Sequence, residues 1–252
     1  MSGHSKWSTI KHKKAATDKK RAKIFTRLTK EIVIAAREGG GDVETNNRLR
    51  LVVDKAKQEN MPKDNIERAI KRGTGELAGG DVEEIMYEGY GPHGVGLLIE
   101  TVTDNRNRAV ADLRHTLGKY GGSMAEAGSV AWQFTRKGYV AINQPVDEDE
   151  VFMAVADAGA EDIQFGEEMV EVYVDDLSLF QPVQRELEGL GLKLEEASLI
   201  YDPNNPLALD VEQAMQVLTL IEKLEELDDV QNIYNALDIT DEVMAAMAES
   251  DD

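Results

Sequence analysis

The order of predicted secondary-structure elements in the second half of the chain restricts its fold more than any other feature. Between Tyr139 and Tyr201 the hydrophobic periodicity predicts strand, helix, strand, strand, helix and strand in succession. The predicted strands are Tyr139–Asn143, Asp162–Phe165, Val170–Val174 and Ala197–Tyr201, and the predicted helices are Asp147–Ala158 and Leu177–Leu190. This β-α-β-β-α-β order is that of a ferredoxin-like domain, and it is complete within the segment.

The segments on either side of this unit are each incomplete as domains. The predicted elements before it are strands Ile85–Tyr90, Val95–Thr103 and Ser129–Phe134 and helix Arg106–Tyr120, and those after it are helix Val211–Leu227 and strand Val230–Leu237. Together they supply a second ferredoxin-like α+β domain. We therefore predict a discontinuous domain of residues 83–134 with 204–240, interrupted by an inserted domain of residues 135–203. The acidic residues 241–252 are predicted to form a frayed tail.

Residues 1–75 predict a basic arm followed by a small helical bundle. Apolar residues recur at three- and four-residue spacing from Asp18 to Glu38, which predicts a helix that ends at glycines 39–41. A second helix is expected after Thr45–Asn47, and a third begins near Pro62, which suits a first helical turn. The predicted fold class is therefore α+β and multidomain, with an N-terminal three-helix domain and two ferredoxin-like α+β domains, one inserted in the other.

Charge is divided very unevenly along the chain, whose formal net charge is −20. The first 30 residues, which we call the basic segment, carry 10 Lys or Arg and a single acid, Asp18. Residues 1–75 carry 19 basic and 9 acidic side chains, a net charge of +10, whereas the rest of the chain carries 9 basic and 39 acidic, a net charge of −30. A basic segment attracts phosphate polymers and an acidic body repels them, so nucleic-acid contact is expected only where the cations are.

Two groups of residues are candidates for nucleic-acid binding. The first lies in the basic segment and comprises Lys6, Trp7, Lys11, Lys13, Lys14, Lys19, Lys20, Arg21 and Lys23. Trp7 lies among these cations and could stack on a base. The second group comprises Arg106, Arg108 and Arg114 on one predicted helix, where two arginines in the first turn and free N–H groups would favour a bound anion. The alternative is that Arg106 and Arg108 pair with neighbouring acids, and the sequence leaves both interpretations open.

Gly89–Gly94 matches the dinucleotide fingerprint G-x-G-x-x-G in letters but not in context. The fingerprint must open a helix that holds a pyrophosphate, whereas a strand, Val95–Thr103, follows here. A hairpin loop is the better prediction, and Tyr90 and His93 are expected to be exposed at its tip as a possible partner-contact loop.

The composition excludes several kinds of chemistry. The chain has no cysteine, so disulfides, thiolate catalysis and cysteine-based zinc sites are excluded. Its 4 histidines are scattered, and no P-loop, H-E-x-x-H or G-x-S-x-G motif occurs. We therefore expect no enzymatic activity, no cofactor and no metal. The sequence shows neither a membrane-spanning run nor the apolar core of a secretory signal, so a cytoplasmic protein is predicted. A mitochondrial transit peptide, which would also be basic and poor in acids, is the minor alternative, although such peptides favour Arg and this segment is rich in Lys.

Several dispersed motifs together resemble one known family. They are Gly3–Trp7 with Lys23–Phe25, Asn60–Ile66 with Arg68–Ile70, Tyr87–Pro92, Thr103–Arg108, Gly121–Gly122 and Gly128–Phe134. Over nearly the whole chain this pattern is similar to the YebC/PmpR family, whose mitochondrial relatives are translational activators. The resemblance implies a three-domain fold and a cytoplasmic, non-enzymatic regulator of gene expression.

Charge and resemblance together predict a nucleic-acid-binding regulator of gene expression, with DNA-binding transcriptional regulation as the first candidate. The alternative is a ribosome-associated translation factor that binds ribosomal RNA, and no helix-turn-helix or zinc finger is evident that would favour DNA over RNA. A protein-interaction module acting through the acidic domains is a third possibility. The expected partners are DNA or ribosomal RNA, with the ribosome or the transcription machinery, and no membrane. The oligomeric state is left open.

Overall fold

A computed structural model of the chain describes residues 18–78, 82–160, 162–166 and 169–250. Its first three helices are α1 (Asp18–Gly39), α2 (Asn47–Gln58) and α3 (Lys63–Gly73). They enclose an apolar cluster that includes Leu28 and Ile32 of α1, Leu49 of α2 and Ile66 of α3. A Cβ atom added at Gly73 would lie 2.5 Å from the carbonyl oxygen of Val33, so the end of α3 can approach α1 only because no side chain intervenes. The predicted three-helix domain is confirmed.

The next domain is assembled from two separate parts of the chain. The first part contains β1 (Glu83–Tyr90), β2 (Gly96–Thr103), α4 (Arg106–Lys119) and β3 (Ser123–Met124). The inserted domain follows, with β4 (Phe134–Asn143), α5 (Glu148–Asp157), β5 (Asp162–Phe165), β6 (Met169–Val174), α6 (Phe180–Gly189) and β7 (Leu194–Pro203). The chain then returns with β8 (Leu207–Ala208), α7 (Val211–Glu225), β9 (Val230–Asn235), β10 (Leu237–Asp238) and α8 (Asp241–Ser250).

Strand pairing shows how the insertion is accommodated. The first sheet has the order β3-β1-β2-β9, so a strand from after the insertion pairs antiparallel with one from before it. The second sheet has the order β5-β6-β4-β7, the ferredoxin-like arrangement in which the first strand lies between the third and the fourth. Strands β8 and β10 form a short parallel pair beside the first sheet. The α+β fold with one domain inserted in the other is confirmed.

The two sheets face each other, and helices cover their outer faces. Leu98 and Tyr234 of the first sheet share an apolar cluster with Tyr139, Tyr173 and Ile200 of the second. Because successive residues of a strand point to opposite faces, the neighbours of these residues pack outwards against α4 and α7 on one side and against α5 and α6 on the other. The result is a helix, sheet, sheet, helix arrangement, to which the three-helix domain is attached at one side.

Two local predictions are wrong. Residues 129–134 were expected to form a strand, but residues 131–133 form a single 3₁₀ turn and the strand begins at Phe134, because the side chain of Glu88 binds the backbone of the preceding loop. Residues 241–250 form helix α8 rather than a frayed tail. Val243 and Met247 lie one helical turn apart and are buried in the core beside α7, which explains why this acidic segment is helical.

Among the described helices, none is both long enough and apolar enough to cross a membrane. Within the same residues, no group of three or more His, Asp or Glu side chains is placed to hold a metal ion.

Candidate nucleic-acid interface

The predicted binding residues of the basic segment are only partly covered by the structure. Lys6, Trp7, Lys11, Lys13 and Lys14 lie outside the described residues. Lys19, Lys20 and Arg21 lie in the first two turns of α1. Lys23 follows in the same helix and is half-buried, and it is the first predicted binding residue whose surroundings the structure defines.

Three cations of α1 face the acidic body of the protein. Lys23, Arg27 and Lys30 are spaced at four and three residues, which places them on one side of the helix, and we call them the cationic face. Arg27 Nη2 donates to the backbone carbonyl of Glu225, and Lys30 Nζ donates to that of Asp228 at 2.8 Å. Burial lowers the pKa of Lys23, and the positive charge of Arg27 lowers it further. The carboxylates of Asp228, Glu226 and Glu225 raise it, but by less, so the pKa is lowered overall.

The partner of the cationic face is the turn that joins α7 to β9. Residues 225–229, which we call the acidic turn, have the sequence Glu-Glu-Leu-Asp-Asp. The turn also includes the C-terminal end of α7, where the last backbone carbonyls, which point away from the helix, give it a partial negative charge. Carboxylates and carbonyl oxygens are thus concentrated opposite three cations.

Asp229 is the most highly connected residue of this contact. Its carboxylate accepts from Lys30 Nζ at 2.7 Å, from Arg108 Nη2 at 2.9 Å and from Thr103 Oγ1 at 3.0 Å, and its side chain is only 8% exposed. Burial alone would raise the pKa of Asp229, but the hydrogen bonds from Lys30, Arg108 and Thr103 outweigh it and hold the pKa below its ordinary value. Asp229 therefore connects the three-helix domain to α4 through ionised groups.

Of the arginines predicted to bind nucleic acid on α4, Arg108 is engaged within the protein. Arg108 Nη2 lies 2.8 Å from Asp104 and 2.9 Å from Asp229. This pairing is the alternative that the sequence left open, although Asp229 is distant in sequence and was not foreseen. Arg106 makes one long ion pair, 3.7 Å from Glu83, and Arg114 is exposed with no ion-pair partner among the described residues. Arg108 is thus held by two carboxylates, Arg106 and Arg114 are exposed, and anion binding on this helix stays a prediction.

Helix α3 supplies an exposed group of cations outside the two groups predicted to bind nucleic acid. Arg68, Lys71 and Arg72 are exposed, and none of them forms an ion pair with another described residue. They lie on the side of α3 opposite the buried Ile66 and Ala69, and this amphipathic pattern in the sequence predicts that they are exposed. Arg27 and Lys30 were also missed, although their spacing from Lys23 indicates a shared helix face.

Comparison with known proteins identifies the family. A model of the TACO1/YebC protein N-terminal domain matches residues 5–76, and a model of the TACO1/YebC second and third domain matches residues 82–237. The chain belongs to the TACO1/YebC family. The resemblance drawn from the dispersed motifs is thereby confirmed.

Individual TACO1/YebC relatives match over almost their whole length. "Probable transcriptional regulatory protein CT1665" from Chlorobaculum tepidum is 50% identical over 99% of this chain and 100% of that protein. A "Probable transcriptional regulatory protein" from Acidithiobacillus ferrooxidans is 55% identical over 98% of each chain. The crystal structure of a conserved hypothetical protein, Aq1575 from Aquifex aeolicus, superposes with a TM-score of 0.83 at 43% identity and covers 91% of this chain and 95% of that one.

In this TACO1/YebC chain the predicted partner-contact loop is held rigidly. The segment 89–94 is a hairpin loop with a 3₁₀ turn at Pro92–Gly94, as predicted. Tyr90 is half-buried rather than exposed, and its hydroxyl donates to the carbonyl of Ser129 at 3.1 Å. His93 is exposed, and its Nε2 lies 2.9 Å from Oε1 of Gln216.

The loop of residues 128–132, to which Tyr90 is hydrogen-bonded, exposes a tryptophan and is held by the buried carboxylate of Glu88. Glu88 accepts from the backbone N–H of Gly128 and of Val130, each at 2.6 Å, and from that of Ala131 at 3.0 Å. Trp132 follows directly and is 68% exposed, with its indole Nε1 donating to the carbonyl of Ser129 at 2.8 Å. Burial of Glu88 would raise its pKa, but these three hydrogen bonds lower it overall.

A cleft of about 430 Å³ lies where the three domains of this family member meet. Glu100 at its floor accepts from Asn232 Nδ2 at 2.8 Å and from the Tyr234 hydroxyl at 3.3 Å. Burial raises the pKa of Glu100 to about 7, assisted by the nearby carboxylates of Glu84 and Glu31 and opposed by the Asn232 hydrogen bond. The buried amide of Gln231 also lines the cleft, and neither of its polar atoms has a partner among the described residues.

Proposed function

We propose that this protein is a nucleic-acid-binding regulator of gene expression, with DNA-binding transcriptional regulation as the first candidate. The observation that carries the proposal is the separation of charge, +10 in residues 1–75 and −30 in the remainder. This separation favours contact between a phosphate polymer and the N-terminal domain with its basic segment. The exposed cations Arg68, Lys71 and Arg72 extend that positive surface on the same domain. The names of the relatives support transcription as the process.

The second candidate is a translation factor that binds ribosomal RNA. The same charge separation favours it, because a body with a net charge of −30 suits a target that presents phosphate in one place and basic protein in another. In both cases we take the protein to act by binding rather than by catalysis, since the sequence has no cysteine and no recognised catalytic motif.

One experiment separates the two candidates. The protein is crosslinked in living cells, purified under denaturing conditions, and the attached nucleic acid is sequenced. Enrichment of promoter DNA without ribosomal RNA supports transcriptional regulation, and enrichment of ribosomal RNA without promoter DNA supports the translation role. If neither nucleic acid exceeds the background of an uncrosslinked sample, the proposed function is wrong.

Neutralising lysines of the basic segment is expected to flatten the salt dependence of binding. The variant changes Lys11, Lys13, Lys14, Lys19 and Lys20 to Gln. Each phosphate that the variant no longer neutralises should lower the slope of log affinity against log salt by roughly 0.7 to 0.9, and affinity at low salt should fall. Fluorescence anisotropy with a labelled RNA and a labelled DNA of the same sequence measures both quantities.

The matched control for this prediction changes exposed cations of the inserted domain. The variant R185Q/K193Q neutralises charges that lie in the acidic body, so its slope should equal that of the unmodified protein. An unchanged slope and affinity in the five-lysine variant would show that the basic segment does not bind the nucleic acid.

A further inference from the structure

The cationic face of α1 is already covered by a negatively charged part of the same protein. Lys30 binds a carboxylate and a carbonyl of the acidic turn, Arg27 binds a carbonyl there, and Lys23 is attracted electrostatically by Asp228, Glu226 and Glu225. These are cations of the basic segment that the proposed function assigns to nucleic acid. The acidic turn therefore occupies residues that a nucleic acid would use.

The contact between the two parts is polar rather than apolar. Within the described residues, the apolar cluster of the three-helix domain contains no residue of the α+β domains apart from Val82, which immediately precedes β1. The domains are instead joined by charged side chains: Lys30 reaches Asp229, Arg48 lies 2.7 Å from Glu84, and Arg37 donates to the carbonyl of Val82. An interface of this kind has little hydrophobic stabilisation and permits relative domain motion.

The acidic turn satisfies the cationic face incompletely. The hydrogen bond that Arg27 Nη2 donates goes to a neutral carbonyl rather than a carboxylate, and its buried Nε has no hydrogen-bond partner among the described residues. A phosphate can accept two parallel hydrogen bonds from one guanidinium and carries a full negative charge. A phosphate group therefore offers Arg27 a charged, bidentate acceptor that the carbonyl of Glu225 does not provide.

We propose that Lys23, Arg27 and Lys30 form a phosphate-binding face for the nucleic-acid backbone, and that the acidic turn covers this face until nucleic-acid phosphates displace it. This inference rests on the proposed function and adds to it a set of contact residues and their regulation. Binding then requires the three-helix domain to move away from the α7–β9 turn. The apparent dissociation constant is the intrinsic one divided by the fraction of molecules in which the face is uncovered.

Weakening the turn is expected to strengthen nucleic-acid binding. Asp229→Asn removes the carboxylate charge that holds Lys30, and we expect the affinity for labelled RNA or DNA to rise about fivefold to tenfold at constant salt. Because Asp229 also binds Arg108 and Thr103 inside its own domain, the exposed double variant E226Q/D228N provides a second test and should raise the affinity in the same direction. Glu212→Gln, an exposed acid at the other end of α7, is the charge-matched control and should have little effect.

Domain movement is measured separately from affinity. The chain has no cysteine, so spin labels can be attached at Gln58→Cys on α2 and Ala111→Cys on α4, both exposed positions outside the cations assigned to nucleic acid. The distance between the labels should lengthen when RNA or DNA is added, and also at high salt without nucleic acid. In D229N the salt-induced change should occur at lower salt.

The outcomes distinguish this inference from the function on which it rests. Saturable nucleic-acid binding with an unchanged label distance, or with an affinity that D229N and E226Q/D228N do not raise above that of E212Q, overturns the covered face and leaves the proposed function standing. Failure to bind either RNA or DNA at low salt, even in the two turn variants, overturns both.

Discussion

Replacing Glu88 by alanine is expected to lower the free energy of unfolding by about 3 to 5 kcal/mol, because three backbone N–H groups lose at once the acceptor that the described part of the chain gives them. Those groups belong to Gly128, Val130 and Ala131, and Glu88, whose carboxylate binds them, is only 9% exposed. Urea denaturation followed by circular dichroism measures the change. The same variant should increase proteolysis around residues 128–133, since the loop is then no longer held.

Two variants test whether the acceptor role of Glu88 is the cause. Glu88→Gln keeps one carbonyl oxygen and should cost less than the alanine variant, about 1 to 2 kcal/mol. Glu126→Ala removes an exposed carboxylate from the same loop and should change stability by less than about 0.5 kcal/mol. A loss of under about 1 kcal/mol in E88A would contradict the assignment.

Glu88 also makes stability depend on pH in a definite direction. Its pKa in the folded protein is below the ordinary value, so its contribution is present above the pKa of the unfolded chain. The contribution is lost as pH falls through the lower, folded-state pKa. The stability difference between the unmodified protein and E88Q should therefore shrink in acid.

Glu100→Gln, unlike the replacements of Glu88, is expected to stabilise the protein, and to do so at alkaline pH. Burial raises the pKa of Glu100 from 4.5 to about 7, so the folded state holds a proton that the unfolded chain has already released. The contribution of Glu100 to the free energy of unfolding is thus fully present below pH 4.5 and is progressively lost as pH rises to about 7. Gln has the shape of the protonated acid, so E100Q should be more stable at pH 8 by about 2 to 3 kcal/mol.

The pH dependence of this gain is the decisive measurement for Glu100. Denaturant midpoints of E100Q and the unmodified protein should coincide near pH 4 and diverge between pH 5 and pH 8. Glu212→Gln, at an exposed site, is the control for the loss of a single surface carboxylate. A constant difference between E100Q and the unmodified protein would mean that the Asn232 and Tyr234 hydrogen bonds, and not the charge, determine the effect.

The architecture could be predicted because each element carries its own periodicity. The β-α-β-β-α-β order needs only local alternation and the turn residues between elements, and the incomplete flanks then imply an insertion. The same count of elements predicts the strand β9, whereas its position beside β2, with Ile99 opposite Ile233, is seen only in the structure. Helix α8 was missed because its charge outweighed the weak signal of Val243 and Met247.

The pairings within the candidate interface could not be predicted in the same way. Lys30 and Asp229 are 199 positions apart, so no local pattern connects them, and the pairing depends on how whole domains pack. Charge alone identifies the basic segment in the sequence. It does not identify which of its cations bind the acidic turn, as Arg27 and Lys30 do. Likewise, Glu88 is one of 48 acids in the sequence, and only the path of the loop at residues 128–131 distinguishes it.

The split of the first sheet across the insertion has a consequence for biosynthesis. Strand β2 is synthesised before residue 104, but β9, its neighbour, begins at Val230. At elongation rates of about 5 to 20 residues per second the intervening residues take roughly 6 to 25 seconds, during which the inserted domain can complete its own sheet. Until then β2, with Leu97, Leu98 and Ile99 buried in the finished protein, has an open edge on the nascent chain. The discontinuous domain is thus the last to close, and its unfinished sheet is where a nascent chain of this protein is most exposed to misassociation.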